Sequence, residues 1–333
     1  MRSIESLIKD FHDDWTWLHE VRQYYKLDEA ALGDLIAVFF ADRARSGSPV
    51  QFPGWADALH GASLDEKKKL VMNVRDWTPE MSLLGTMHLE YLGREEYKKP
   101  LHTAFLAALD RYAKTRAELG ILDFGAGTSS FCQLALYAGY RVHCTLADVD
   151  GETLEYADTY YSRRWPGTTK VHVIDIEGQP ISKRSRVRIK YKSLLGPFDV
   201  VILADVLEHT LDPLGILIHL FTTLPPGGLL FVNYPAGIEG DWHTPEAFSL
   251  RKWCYLFLYL TCQRINQYTW RRRALAKTPV VAVFLLANRF LIQRAKAFAT
   301  QYFIKHGSAL AMEVAEKTRR VIYVEDLVRS VRE

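Results

Sequence analysis

The segment Ile121-Leu122-Asp123-Phe124-Gly125-Ala126-Gly127-Thr128-Ser129-Ser130 constrains the fold more than any other part of this chain. A short apolar run ends in two glycines one residue apart, and small hydroxyl side chains follow. Glycine permits a sharp turn and lets the backbone approach a ligand closely. The pattern predicts a buried strand, a tight turn and then a helix, whose N-terminus favours polar or anionic ligand groups. From Gly120 onward the same alternation repeats. Strand-like runs at 121–124, 141–147, 171–174, 198–203 and 229–233 are separated by helical stretches to about 139, over 151–161 and over 211–223. Alternation of this kind predicts a parallel sheet with helices on both faces. Residues 264–270 and 280–287 are two further strand candidates, which brings the expected sheet to seven strands.

The flanks read differently. Residues 1–119 look helical, with Leu27, Ala31, Leu32, Leu35, Ile36 and Phe39 at helical spacing, and Leu101, Phe105, Leu106, Leu109 and Tyr112 as a second stripe. Residues 290–333 return to helical composition. The expected organisation is a helical cap over 1–100, an α/β domain over 101–290 and a helical extension over 291–333. Of the 333 residues, 48% are hydrophobic and 24% charged, which excludes a disordered tail or a rod. The net charge of +3 excludes a polycation built to coat nucleic acid. The longest apolar runs, 253–262 and 280–287, fall far short of the ~20 residues that span a bilayer. No apolar leader opens the chain, so the expectation is a cytoplasmic protein without a membrane partner. Cys132, Cys144, Cys254 and Cys262 form no C-x-x-C pair and read as buried, reduced thiols.

Carboxylates recur where the strand candidates end. A dinucleotide fingerprint needs a third glycine, but Ser130 stands in its place. Asp148 lies about 20 residues past the glycines, where a carboxylate can accept both hydroxyls of a ribose. Asp150, the alternative, suits the N-cap of the next helix. Asp175 follows the third strand candidate, and Asp205, Glu208 and His209 follow the fourth.

The Asp123-x-Gly125-x-Gly127 pattern resembles motif I of the class I S-adenosylmethionine-dependent methyltransferases. Asp148, Asp175, the segment 198–209 and Pro225-Pro226-Gly227-Gly228 match later motifs in the family's order. The resemblance covers about 120–290 and leaves out the first 100 and last 40 residues. It implies a Rossmann-like, seven-stranded methyltransferase sheet with an N-terminal helical cap and a C-terminal helical tail, and S-adenosylmethionine as cofactor. It assigns Asp123, Gly125, Ala126 and Gly127 to the amino-acid end, Asp148 and Val149 to the ribose, Asp175 and Ile176 to the adenine, and Ala204 to the start of the reaction face. Adenine-amino methyltransferases of DNA carry an Asn/Asp-Pro-Pro-aromatic motif where this chain has Ala204-Asp205-Val206-Leu207, which argues against them.

Asp205-x-x-Glu208-His209 is similar to the Glu-x-x-Glu-His of ubiquinone-pathway O-methyltransferases and small-RNA 2′-O-methyltransferases, which holds a divalent metal. With His243 as a fourth ligand, Asp205, Glu208 and His209 would form a site for Mg²⁺, Mn²⁺ or Zn²⁺. Metal-free relatives also carry Leu-Glu-His, and the reading favours a metal-free site. His243, His209 and Asp205 are the candidate catalytic bases for a hydroxyl nucleophile. The expected function is methyl transfer to a small-molecule acceptor, on oxygen. The alternatives are an RNA 2′-O-methyltransferase, suggested by six basic residues in 183–192, and a catalytically silent binding protein of the same fold. The N-terminal aromatics Trp15, Trp17, Tyr24 and Tyr25 are expected to cap the cofactor cleft, and oligomeric state is left open.

Overall fold

A computed structural model describes residues 2–29, 79–114, 116–149, 151–177, 188–190, 196–234, 244–274 and 278–318. Its strands are β1 (Leu119–Phe124), β2 (Val142–Val149), β3 (Thr169–Glu177), β4 (Arg188–Lys190), β5 (Val200–Ala204), β6 (Leu229–Asn233), β7 (Cys262–Arg264) and β8 (Thr269–Arg272). They form one sheet in the order β4-β3-β2-β1-β5-β6-β8-β7. β1, β2, β3, β5 and β6 run parallel, while β4 pairs antiparallel with β3, and the β7–β8 hairpin closes the β6 edge antiparallel. This is the expected Rossmann-like sheet, with β4 added at one edge.

The helices are α1 (Ile4–His12), α2 (Thr16–Tyr25), α3 (Pro79–Leu92), α4 (Lys99–Ala113), α5 (Ser130–Tyr137), α6 (Glu152–Arg164), α7 (Pro213–Thr223), α8 (Pro245–Thr261) and α9 (Thr278–Thr318). Because successive strand residues point to opposite faces, the central strands feed two cores. Ile121, Val200, Ile202 and Phe231 pack with α1 through α6. Leu122, Phe124, Val201, Leu203, Leu230 and Val232 pack with α7, α8 and α9. The Asp212 side chain caps α7 by accepting from the Gly215 N–H at 2.9 Å, and it also accepts from Asn288 Nδ2 at 2.8 Å, which ties α9 to α7.

Three expectations need correction. Residues 280–287 are helical, inside α9. Their β-branched composition suits a strand, but Phe284, Leu291, Ala295 and Ala299 are buried at helical spacing. The candidate 264–270 is two strands and a turn, in which Asn266 Oδ1 accepts from the Tyr268 and Thr269 amides at 2.9 and 2.8 Å. The third strand runs on to Glu177, so Asp175 and Ile176 stand in a ladder opposite Lys190 and Ile189 rather than in a loop. The aromatic residues of 253–259 lie in α8, where Phe257 is buried and Tyr259 exposed. The stripe from Ala31 to Phe39 and most of the basic stretch lie outside the described residues. α9 passes through residue 290 without a break.

Gly125 is the most constrained turn position. Its φ is +73°, and a Cβ there would lie 2.5 Å from Val206 Cγ2. Gly139 has a similar φ of +83° with nothing within 4 Å of the same added atom. Left-handed backbone costs an L-residue about 1–2 kcal/mol, and overpacking a further ~1–3 kcal/mol. In urea unfolding, Gly125→Ala is expected to lose about 2–4 kcal/mol and Gly139→Ala only about 1 kcal/mol. Equal losses would mean that Val206 yields without cost.

Candidate active site

β1 pairs with β2 on one side and β5 on the other, so the chain reverses its direction of travel across the sheet at the carboxyl ends of β1 and β5. In open α/β sheets, ligands bind at such a switch point. The loop after β1 turns there with three left-handed residues, Gly125 (φ +73°), Gly127 (φ +51°) and Ser129 (φ +57°). Its amides are aimed at the neighbouring strand. Gly125 and Ala126 donate to the Ala147 carbonyl at 2.7 and 3.3 Å, and Gly127 donates to Asp148 Oδ2 at 2.6 Å. From inside, Ser129 Oγ donates to Asp123 Oδ2 at 2.6 Å, and the Tyr161 hydroxyl donates to the Ser129 carbonyl at 2.8 Å. Burial pushes the Asp123 carboxyl up to about 7.

Across the switch point, Ala204 ends β5 opposite Asn233 of β6. Asp205 follows with φ +57°, and its N–H donates to the Asn233 carbonyl at 3.2 Å. Its carboxylate accepts from the Asn233 side-chain amide and from the ammonium of Lys98. Burial works against the Lys98 ammonium, but Asp205, with Tyr97 and Asp123, outweighs it and holds the pKa above the ordinary lysine value. The next turn, Leu207–His209, carries Glu208 and His209. Burial first, and Asp205 second, push the Glu208 carboxyl up to about 8. Glu208 Oε2 is buried without a hydrogen-bond partner, and Oε1 lies 3.8 Å from His209 Nε2. The His209 imidazole is half-buried.

Two buried polar networks bind the N-terminal helices to the glycine loop. Arg94 donates to Glu90 Oε2 at 2.6 Å and to Gln133 Oε1 at 2.9 Å. Gln133 in turn donates to Glu90 Oε1 and to the Thr128 carbonyl, both at 2.9 Å. The second network has a fixed direction. A carbonyl only accepts, so His12 Nδ1, 2.6 Å from the Arg94 carbonyl, carries the proton. Burial lowers the pKa of both His12 and His102, and neutral His12 must then accept through Nε2 from His102 Nδ1 at 3.0 Å. His102 Nε2 accepts in turn from Ser130 Oγ at 3.2 Å.

Of the residues singled out in the sequence, Asp123, Gly125, Ala126, Gly127, Asp148, Val149, Ala204, Asp205, Glu208 and His209 all sit at this carboxyl edge. Asp175 and Ile176 lie one strand further out, in β3. His243 lies outside the described residues. Three of the four residues considered for a metal, Asp205, Glu208 and His209, are described. The Asp205 carboxylate is already occupied by a cation and an amide, and among the described residues no three His, Cys, Asp or Glu are grouped to hold a metal. Sequence reasoning missed Lys98. It stands in Glu95-Glu96-Tyr97-Lys98-Lys99, where nothing local distinguishes the buried lysine from its neighbour. It also missed Glu90, Arg94 and Gln133, which are far apart in the chain and carry no motif.

The raised carboxyls set a pH dependence of stability. Asp123 and Glu208 keep protons in the fold at pH values where the unfolded chain has released them, so stability falls as pH rises toward about 7 and about 8. His12 and His102 act oppositely, because the unfolded chain binds their protons below pH 6.5. Above that value only the carboxyls among these four contribute, each by up to about 1.4 kcal/mol per pH unit. Urea unfolding at pH 6.5 to 8 is expected to show wild-type stability declining and Glu208→Gln declining less. Parallel slopes would mean that Glu208 is ionised in the fold.

A family model described as a methyltransferase domain matches residues 93–277. No curated protein matches the chain. Among solved structures, the chain is similar to the CMeT domain of the citrinin polyketide synthase (13% identity, TM-score 0.39, covering 58% of this chain and 56% of that one). It is also similar to the DszA carbon methyltransferase (20% identity, TM-score 0.36, covering 47% and 40%). A third likeness is to an O-methyltransferase family protein from Burkholderia thailandensis (15% identity, TM-score 0.35, covering 56% and 59%). The chain thus spans between 40% and 59% of the length of these three, at identities that carry no statement of substrate. The family match takes in more than half of the chain, including the whole glycine loop and both sides of the switch point, and the chain belongs to the methyltransferase-domain family, with the sheet of the class I S-adenosylmethionine-dependent enzymes.

Proposed function

We propose that this methyltransferase transfers a methyl group to a hydroxyl oxygen of a small-molecule acceptor at the β1–β5 switch point. The observation that carries the reading is the clasp between the Gly127 amide and Asp148, facing the Lys98–Asp205–Asn233 cluster across the same carboxyl edge. The donor set suits S-adenosylmethionine. Asp148 is half-buried at the rim and its Oδ2 is fixed by a loop amide, which orients the carboxylate for a ribose diol. Gly125, Ala126 and Gly127 keep the loop close to the β2 edge, next to the N-terminus of α5. Bound there, S-adenosylmethionine supplies a methyl group on a sulfonium, open to in-line displacement.

The chain's own groups then have separate tasks. Asp205 is a positioning residue, because its carboxylate is committed to Lys98 and Asn233. The half-buried His209 takes the proton of the acceptor hydroxyl, and the neighbouring Glu208 stays neutral up to about pH 8. The helices α1 to α4 wall the edge and exclude water from the displacement. Asp175 and Ile176, in β3, are assigned to the adenine side, and the whole of 101–290 to the cofactor-binding domain. No metal is assigned.

Calorimetric titration of the full chain with S-adenosylmethionine, with NADH as control, tests the cofactor assignment. Micromolar binding is expected, with Asp148→Ala weakening it about 10- to 100-fold through the loss of two charge-assisted hydrogen bonds. No binding, or tighter binding of NADH, would remove the assignment. Turnover of hydroxylated acceptors tests the base. His209→Gln is expected to lower kcat about 100- to 1,000-fold with the cofactor affinity unchanged. Acceptance of RNA with steep salt dependence would favour the nucleic-acid alternative instead.

A further inference from the structure

The charge of this chain is unevenly placed. Residues 247–312 contain eleven Lys and Arg and not one Asp or Glu, whereas the whole chain has a net charge of only +3. That segment builds most of α8, the β7–β8 hairpin and most of α9. The same layer holds nine of the twelve large hydrophobic residues exposed among the described residues. Their centre is Leu256 and Leu260 on α8 with Val283, Leu286 and Phe290 on α9, the last three 61%, 75% and 64% exposed. The α9 residues recur at i, i+3 and i+7, on the side away from the buried Phe284, Leu291 and Ala295. Arg289 and Arg294 flank the stripe, and the Arg294 guanidinium lies 5.8 Å from the centre of the Phe290 ring.

We propose that this face of α8 and α9 docks on the surface of a phospholipid bilayer rich in anionic headgroups. An apolar stripe whose charged neighbours are all basic is the arrangement that lies in a bilayer interface, with the hydrophobes among the acyl chains and the bases at the phosphates. A second copy pairing through the same face would set Arg289 and Arg294 against bases alone, since residues 247–312 contain no acid. A nucleic acid would satisfy the bases and leave Leu286 and Phe290 against a polar backbone. No helix among the described residues is long and apolar enough to cross a membrane, so the contact is with one leaflet. The sequence-based expectation of no membrane partner rested on the length of apolar runs, which is silent about binding in the plane of the interface.

Sedimentation of the full chain with vesicles of phosphatidylcholine, alone or with about one-third phosphatidylglycerol, tests this. Binding to the anionic vesicles is expected, weakening steeply with salt, with little binding to phosphatidylcholine alone. Leu286→Ser with Phe290→Ser is expected to abolish it. Arg289→Gln with Arg294→Gln is expected to weaken it about 25-fold, at about fivefold for each charge. Unchanged circular dichroism and thermal midpoint establish that these surface variants fold. Recovery that is the same with and without vesicles, or variants that bind as well as wild type, overturns the proposal. So does a wild-type dimer that Leu286→Ser turns into a monomer while no vesicle binding is seen, which would assign the face to a second copy. None of these variants touches the cofactor edge, so this proposal and the methyl-transfer assignment fail separately.

Discussion

Everything at the reaction edge depends on one backbone manoeuvre, the turn that carries the chain off β1 and into α5. Three left-handed residues within five positions make the turn, and two of them are glycines. The third is Ser129, a residue that enters this region at a cost of about 1–2 kcal/mol. The cost is offset locally. The Ser129 hydroxyl satisfies the buried Asp123 carboxyl, and its carbonyl accepts from Tyr161. With the turn held in this way, the loop amides reach Ala147 and Asp148, and Val206 closes against Gly125 from the other side of the switch point. A second non-glycine residue in the left-handed region, Asp205, mirrors the arrangement at the end of β5.

The N-terminal helices do more than cover an apolar surface. Phe11, Trp17, Val21 and Met87 join the core beneath the sheet, and Glu90, Arg94, His12 and His102 reach through it to Thr128, Gln133 and Ser130. Buried charges need partners of this kind, because an unpaired one would cost several kcal/mol. The Glu90–Arg94–Gln133 triangle meets that need with side chains from α3, the turn after it and α5, and Gln133 carries it on to the Thr128 carbonyl just before α5. The loop that defines the reaction edge is therefore held from α3 and α4 as much as from the sheet.

The sheet was legible in the sequence because its signal is local. Apolar runs, glycines and strand-end carboxylates recur in the chain order that a parallel sheet requires, and the five parallel strands lie where that pattern predicts them. The errors came where local composition and tertiary context disagree. Residues 280–287 are β-branched and apolar enough for a strand, but their register against α7 and α8 is helical. At the carboxyl edge, the glycine loop and Asp148 were readable from spacing, and Asp205 from the resemblance to the family's later motifs. Lys98 was not, because burial of one lysine beside another is decided by a partner 107 residues away. The histidine pair, 90 residues apart, was invisible for the same reason.

That pair has a consequence of its own. The relay from Ser130 through His102 and His12 to the Arg94 carbonyl runs in one sense, with each ring nitrogen either giving or receiving. A proton added to His12 Nε2 sets two N–H groups face to face across 3.0 Å and turns attraction into repulsion, whereas a proton added to His102 enters at Nε2 and reverses the Ser130 hydrogen bond. The joint between α1 and α4 is thus an acid-labile hinge pin, whereas the parallel strands are laced by amides that do not titrate. Acidification therefore acts on the joint between α1 and α4, and the backbone hydrogen bonds of the sheet beneath it carry no titratable group.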